Sequence, residues 1–332
     1  MSAAASAAIF ESLPGIEVPV GRVAQSLEEI WAGAPDDAAG APSEFRASQM
    51  NLVLHLGVRT TVESAGEQLE IALALSRRHP ARTVVLCPIQ RDQGGTEMRS
   101  KIFSECYIGS SGKEMVCCEV VMLSYPFDTR RFMENQVSVC LETDLPTYYW
   151  PHCIASAARL EDYSYLLNGA RRIIIDTACE TADVTSALAP LGSKVRDLAD
   201  TRMLQVRQSL GRYMSGFEPA SLVDGLEEVN VSHAPRHSAE GRRLLAWVRK
   251  SLGDCGRGPG AEVKFAAAAA GNDASLALDF AFSGGERRLH WEADLAAGHA
   301  RMSAILGSDR VSAEGPVFLL KPEIALAEAI FS

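Results

Sequence analysis

The 332-residue chain lacks the common catalytic signatures. It has no Gly-x-Gly-x-x-Gly, no Gly-x-x-x-x-Gly-Lys-Ser/Thr, no Gly-x-Ser-x-Gly and no His-Glu-x-x-His. Neither a glycine cradle for phosphates nor an exposed nucleophile turn can therefore be read from local sequence. The cysteines form no Cys-x-x-Cys and no Cys/His spacing typical of zinc. On this reading the chain is no enzyme, carries no cofactor and holds no metal. No apolar run approaches the roughly 20 residues that span a bilayer. Residues 1–10 are alanine-rich without Lys or Arg, and read as a loose tail rather than a signal peptide. A cytoplasmic protein without a membrane partner is expected. The net charge of −10 leaves no general basic face for nucleic acid or anionic lipid. The basic doublets Arg77-Arg78, Arg130-Arg131, Arg171-Arg172 and Arg242-Arg243 are scattered and suit solvated helix ends and strand edges.

What is present is an ordinary globular composition, 47% hydrophobic and 22% charged, in a length that suits two domains better than one core. Residues 11–31 start extended and turn helical, with Val23, Leu27, Ile30 and Trp31 on one stripe. A linker rich in Ala, Pro and Asp follows over 32–46. Strand 51–58, helix 63–78 with its stop at His79-Pro80, and strand 82–88 then imply a right-handed crossover and a parallel strand pair. Strands 102–108 and 114–123 flank Gly109-Ser110-Ser111-Gly112-Lys113. This joint is a hairpin turn, not a phosphate loop, because the glycine–lysine spacing is wrong and no helix follows. Helices are predicted over 129–141, 155–167, 181–191 and 200–213, and a strand over 171–176. Past Pro219 come strand 225–233, amphipathic helix 238–252, a glycine-rich turn from Cys255, and strands 261–268, 275–282 and 287–293. The expected fold class is α/β: an N-terminal mixed, mostly parallel sheet flanked by helices, plus a smaller C-terminal α+β module with antiparallel strands. The expected domains are an N-terminal extension over 1–46, an α/β domain over 47–218 and an α+β domain over 219–332.

The most unusual stretch is 143–151, Thr-Asp-Leu-Pro-Thr-Tyr-Tyr-Trp-Pro, where two prolines bracket three aromatics. Such side chains suit a core anchor or a recognition surface. Alternation along an extended segment puts Leu145 and Tyr149 on one face and Tyr148 and Trp150 on the other, so only part of the stretch can meet a partner. Asp144, Leu145, Pro146, Tyr148, Tyr149 and Trp150 are the candidate partner-binding residues, and the stretch is expected to be mainly structural with an exposed edge. The eight cysteines sit mostly in apolar, strand-like contexts and read by default as reduced small hydrophobes. Cys117, Cys118, Cys153 and Cys255 are the candidates for redox chemistry. Adjacent cysteines on a strand cannot easily bond each other, so a disulfide at Cys117-Cys118 needs a partner from another segment. His55 and His290 lie in strand patterns and read as structural. On an extended segment His152 and Cys153 point apart, which argues against a reactive pair. Asp176, at the C-terminal end of a predicted parallel strand, is the best polar candidate for a cleft; the plainer role is to cap the next loop.

Several short segments stand in a set order: Leu13-Pro-Gly-Ile-Glu-Val-Pro-Val with Ser26-Leu-Glu-Glu-Ile-Trp, Met50-Asn-Leu-Val-Leu, Arg78-His79-Pro80-Ala81-Arg82 and Val116-Cys-Cys-Glu-Val. Thr143-Asp144-Leu145-Pro146 running into Trp150, Ile173-Ile-Ile-Asp176, the region around Asp197-Leu-Ala, and Leu244-Leu-Ala-Trp247-Val-Arg-Lys-Ser-Leu252-Gly continue the order. In this order they resemble the OpcA family, the glucose-6-phosphate dehydrogenase assembly proteins. The family's aromatic stretch often carries paired tryptophans where this chain has Tyr149-Trp150. The resemblance implies a non-enzymatic partner that binds glucose-6-phosphate dehydrogenase, favours its active assembly and supports NADPH production in the oxidative pentose phosphate pathway. It also implies a link between activation and cysteine oxidation state. The alternative is an α/β enzyme or sensor binding a sugar phosphate or nucleotide near Asp176.

Overall fold

The computed structural model describes residues 5–32, 48–89, 97–108, 115–255, 263–269 and 276–332. They fall into two compact units, Met1–Asp197 with Leu326–Ser332, and Leu198–Ala325. The expected linker beyond Ala32, the turn at 109–113 and the glycine-rich turn at 256–260 lie outside the described residues.

The first unit is built on eight strands: β1 (Ile16–Val18), β2 (Met50–Leu56), β3 (Ala81–Ile89), β4 (Arg99–Ile108), β5 (Met115–Pro126), β6 (Thr147–His152), β7 (Arg172–Ile175) and β8 (Val195–Asp197). Their order is β1-β4-β5-β3-β2-β6-β7-β8. The β1–β4 and β4–β5 pairs are antiparallel and every other pair is parallel, so the sheet is mixed and mostly parallel as expected. Every residue of β2 is buried, and nearly all of β3. Helices cover both faces of such strands, which is why they read as continuous apolar runs rather than alternating ones. Val53, Val84, Val121, Tyr149 and Ile173 share one core with α2 (Val23–Ala32), α4 (Met133–Cys140) and α7 (Ala182–Leu188). Tyr148 points to the opposite face, where its ring meets Phe331.

Helix α3 (Val62–Ser76) shows how local chemistry sets an element's limits. The Thr61 side chain accepts from Ser64 N at 3.1 Å, satisfying one of the donors a helix start leaves unpaired. The chain leaves the helix at Arg77, just before His79-Pro80, where proline disfavours helical backbone in the preceding residue.

Several elements differ from the sequence expectation. Within the stretch expected to be a loose tail, Ala5–Ser12 forms α1, with Ile9 and Phe10 buried. Lys101 Nζ donates to the Phe10 carbonyl at 2.6 Å and the Leu13 carbonyl at 3.2 Å, supplying the partners that a helix C-terminus lacks. The helix predicted over 155–167 splits into α5 (Ala157–Glu161) and α6 (Ser164–Gly169). Tyr163 sits at the break, buried, with its hydroxyl 2.6 Å from that of Tyr125 and its ring 4.2 Å from that of His55. The helix over 181–191 ends at Leu188 and tightens into a 3-10 turn, where Pro190 and a left-handed Gly192 (φ 54°) end regular helix. The helix predicted over 129–141 starts as a 3-10 turn, Phe127–Phe132, and becomes α4. Reading every cysteine as reduced also fails: Cys106 and Cys117 are directly opposite on β4 and β5 and form a disulfide. Cys117 thus takes its partner from another segment, while its neighbour Cys118 is an unbridged buried thiol.

The second unit carries a six-stranded sheet from β9 (Leu226–His233), β10 (Lys264–Ala269), β11 (Leu276–Phe282), β12 (Arg288–Asp294), β13 (His299–Leu306) and β14 (Asp309–Pro316). The order is β10-β9-β11-β12-β13-β14; only β10–β9 is parallel. One face packs on α11 (Ser238–Gly253) and α9 (Leu204–Met214) around Trp291, Leu278 and Leu244. The other is polar, with His290 Nδ1 2.6 Å from Asp279 and Arg301 Nε 2.9 Å from Glu314. Burial along β13 alternates accordingly, the pattern of an antiparallel sheet with one wet face. The predicted helix over 200–213 is interrupted between α8 (Leu198–Arg202) and α9 at the buried Met203.

Candidate functional site

The order of the parallel strands reverses at β2: β3 lies on one side of it and β6 on the other. In open α/β sheets such a reversal opens a crevice at the carboxyl ends of the strands. Three chain segments converge there. The first leaves β2 at Gly57, whose N–H donates to the His152 carbonyl at 2.7 Å. A Cβ on Gly57 would overlap the Cys153 carbonyl, so glycine is what allows the two strand ends to approach. Thr60 Oγ1 donates to the same His152 carbonyl at 3.3 Å.

The second segment is the end of β6. Cys153 has φ 56°, the only positive φ of a non-glycine residue among the described residues. The extended geometry that would send neighbouring side chains apart ends there, and the sequence expectation for this pair is overturned. Cys153 Sγ lies 3.4 Å from His152 Nε2. A cysteine held in this region costs about 1 kcal/mol or more, and such strain collects at functional sites.

The third segment follows β7. Cys179 Sγ lies 3.7 Å from His152 Nδ1. One ring nitrogen of His152 and the sulfurs of Cys153 and Cys179 all lie within 4.8 Å of one another. The Glu180 carboxylate, its side chain fully buried, accepts from Ile154 N at 3.1 Å. Arg59 Nη2 donates to the carbonyls of Ile154 and Cys179 at 2.9 Å each and lies 3.7 Å from Glu180. Arg59 therefore ties the loops after β6 and β7 to the loop after β2. Ser64 Oγ, from the first turn of α3, is 2.9 Å from His152 Nε2 and holds the ring.

The electrostatics separate the two thiols. A hydrogen bond from Cys179 holds the Cys153 thiol below its ordinary pKa, against the opposing effect of burial. The same bond, with burial, pushes Cys179 well up. Burial raises the Glu180 carboxyl, opposed by the Ile154 N–H and by Arg59.

Other sequence candidates lie elsewhere. Asp176 Oδ1 accepts from Ala178 N at 2.9 Å, the loop-capping geometry. Tyr148, Tyr149 and Trp150 are buried within β6, with Tyr149 facing one layer and Tyr148 the other. Asp144 is exposed, and Leu145 and Pro146 are half-buried. Asn51 holds this turn: its Nδ2 donates to the Glu142 carbonyl at 2.8 Å, and its Oδ1 accepts from Glu142 N at 3.0 Å. Cys255 is half-buried at the end of α11, with its thiol on the Ser251 carbonyl. Of the four redox candidates only Cys153 joins the site; Cys179, Glu180 and Arg59 were not singled out. A signal was available: Arg59 and Cys179 each follow the end of a strand predicted as parallel, and Cys153 follows the extended aromatic stretch.

Residues 72–193 match the family model for the glucose-6-phosphate dehydrogenase subunit N-terminal domain, of the OpcA assembly type. Over that span the chain is similar to the OpcA family. The matched span runs from within α3 to just short of β8, and so contains the aromatic stretch and His152, Cys153, Cys179 and Glu180. No curated protein matches the chain. Among solved structures, it is similar to KijD10, a 3-ketoreductase from Actinomadura kijaniata, at 10% identity over 85% of this chain and 88% of that one, with a TM-score of 0.40. It is also similar to an aldose-aldose oxidoreductase from Caulobacter crescentus, at 11% identity over 86% and 88%, with a TM-score of 0.38. Likeness at that level carries nothing about what this protein does. No helix among its described residues is long and apolar enough to cross a membrane.

Proposed function

We propose that this protein is a non-enzymatic accessory factor that binds glucose-6-phosphate dehydrogenase in the cytoplasm, favours its active assembly and so supports NADPH production. The match of residues 72–193 to the dehydrogenase-subunit family model carries this reading. A binder of this kind activates by holding the active state of the enzyme more tightly than the inactive one; equal affinity for both shifts nothing. The contact surface is the exposed edge at Asp144, Leu145 and Pro146, extended by Phe132 and Val139. The last two are large apolar side chains, 72% and 64% exposed, on the helical segment just before that turn. Tyr148, Tyr149 and Trp150 support the edge from within the core.

The test mixes the purified protein with the glucose-6-phosphate dehydrogenase of the same organism. Co-elution on size exclusion and a changed kcat or KM support the reading, and Phe132→Asp should weaken both without lowering the unfolding midpoint. No co-elution and unchanged kinetics would sink it. The reversal of strand order at β2 favours one second reading, a sugar-phosphate or nucleotide ligand at that edge. A thermal-shift response to such a compound, in a protein that leaves the dehydrogenase unaffected, would establish that instead.

A further inference from the structure

We propose that His152, Cys153 and Cys179 form a binding site for a divalent transition metal of zinc type. The ligand atoms are one imidazole nitrogen and two cysteine sulfurs, from two loops, all within 4.8 Å of one another. Zinc–sulfur bonds of about 2.3 Å and zinc–nitrogen bonds of about 2.0 Å in tetrahedral geometry require S···N separations of about 3.6 Å. With Nδ1 as the imidazole ligand, Cys179 Sγ at 3.7 Å already has that separation. Cys153 Sγ sits 3.4 Å from the other ring nitrogen, Nε2, so it must swing across the ring edge to share the ion, a shift of one side chain within a set that spans 4.8 Å. Two thiolates and an imidazole are a soft to borderline set, which selects zinc and its neighbours over magnesium or calcium.

Two further features suit a metal rather than a packed cysteine cluster. Ser64 Oγ on His152 Nε2 is the kind of outer partner that orients a ligating imidazole, leaving Nδ1 towards Cys179. Cys153 reaches the cluster only through its left-handed backbone, and Gly57 leaves room for that turn where a side chain would not. Neither cysteine is fully buried, so an ion can reach both sulfurs from solvent. Three protein ligands leave the fourth tetrahedral place for water or an incoming donor, the pattern of an open rather than a closed zinc site. Metal binding here does not depend on the dehydrogenase, so either proposal can fail alone.

The test adds cobalt(II) to the reduced, chelator-treated full-length chain and follows absorbance. One equivalent should give thiolate-to-cobalt charge-transfer bands with tetrahedral visible bands, and zinc(II) should bleach them. Cys153→Ser, Cys179→Ser and His152→Ala should each weaken binding at least tenfold, and Cys255→Ser should leave it unchanged. In the unmutated chain, stoichiometric zinc should protect Cys153 and Cys179, but not Cys255, from alkylation mapped by mass spectrometry. That measurement does not depend on any variant folding. No charge-transfer band in the reduced chain, bands that persist in both Cys153→Ser and Cys179→Ser, or equal alkylation with and without zinc would each overturn the proposal. So would a Cys153–Cys179 disulfide that, once reduced, binds no metal.

Discussion

Asn51→Ala tests whether the turn that carries the OpcA-like Asp-Leu-Pro segment is held by one side chain. Asn51 is completely buried at the start of β2. Its amide donates to the Glu142 carbonyl at 2.8 Å and more weakly to the Leu145 carbonyl at 3.3 Å, and accepts from Glu142 N at 3.0 Å. Removing the amide forfeits two well-formed hydrogen bonds at about 1 kcal/mol each, and leaves a backbone donor and acceptor short of partners at about 1 kcal/mol or more. The expected loss is about 3 kcal/mol, which lowers the midpoint by roughly 6–12 °C for a unit of about 200 residues. Asn51→Asp is the sharper probe because its shape is unchanged. It keeps the acceptor for Glu142 N but sets a buried anion against two carbonyl oxygens, so at neutral pH it should cost more than the alanine. The new carboxyl has a folded-state pKa raised above its unfolded value near 3.9. Its penalty is therefore full above the folded-state pKa and fades as pH falls towards 3.9. Urea unfolding followed by tryptophan fluorescence reads both variants, with the buried Trp150, whose strand β6 pairs with β2, reporting on this unit and Trp291 on the other. An alanine variant within 0.5 kcal/mol of wild type (roughly the scatter of neutral surface changes) or an aspartate variant as stable as wild type at pH 7 would refute this account of the turn.

Three other outcomes follow from the same structure. Burial holds the His55 imidazole neutral, lowering its pKa to about 3, with Nδ1 2.7 Å from the Tyr149 hydroxyl. Its contribution is full above the unfolded value near 6.5 and is lost as pH falls, about 2 kcal/mol by pH 5; denaturation from pH 7 to 5 should show a flatter acid limb in His55→Gln. Trp150→Ala opens a core cavity and should cost about 3–5 kcal/mol, whereas Trp150→Phe should cost less, because the indole N–H it removes has no hydrogen-bond partner among the described residues. At temperatures where either variant is folded, dehydrogenase binding should be intact, and a folded Trp150→Ala that loses the partner would contradict a buried role. Gly57→Ala must push back the Cys153 carbonyl. It should lower the melting temperature and weaken cobalt binding together, and a neutral effect on both would count against the close approach of β2 and β6.

Much of the fold was legible, because its signals are local. Strands 51–58 and 82–88 announced themselves as buried apolar runs, and 63–78 as a helix stopped by His79-Pro80; the structure has β2, β3 and α3 there. The misses occur where a tertiary contact overrides a periodic pattern. Tyr163 breaks a helix to reach Tyr125, and Lys101 caps a segment that composition alone made a tail. β8 is three residues long, too short to carry a period-two signal, and β14 is mostly exposed, so it lacks the apolar alternation that marks a half-buried strand.

By itself the sequence determined the central strands β2 and β3 with helix α3 between them, and the order of motifs by which the OpcA resemblance is read. These are properties of neighbouring residues, set by apolar periodicity, proline and glycine. The site is different in kind. Cys153 and Cys179 are 26 positions apart and Gly57 is far from both, and no spacing rule joins them. They meet because β6 pairs with both β2 and β7 in a parallel sheet whose order reverses at β2, which brings the three carboxyl ends to one edge. The turn of Cys153 into left-handed backbone then points its sulfur back at His152, a geometry that alternation along a strand forbids and that only the packed strand ends against Gly57 decided.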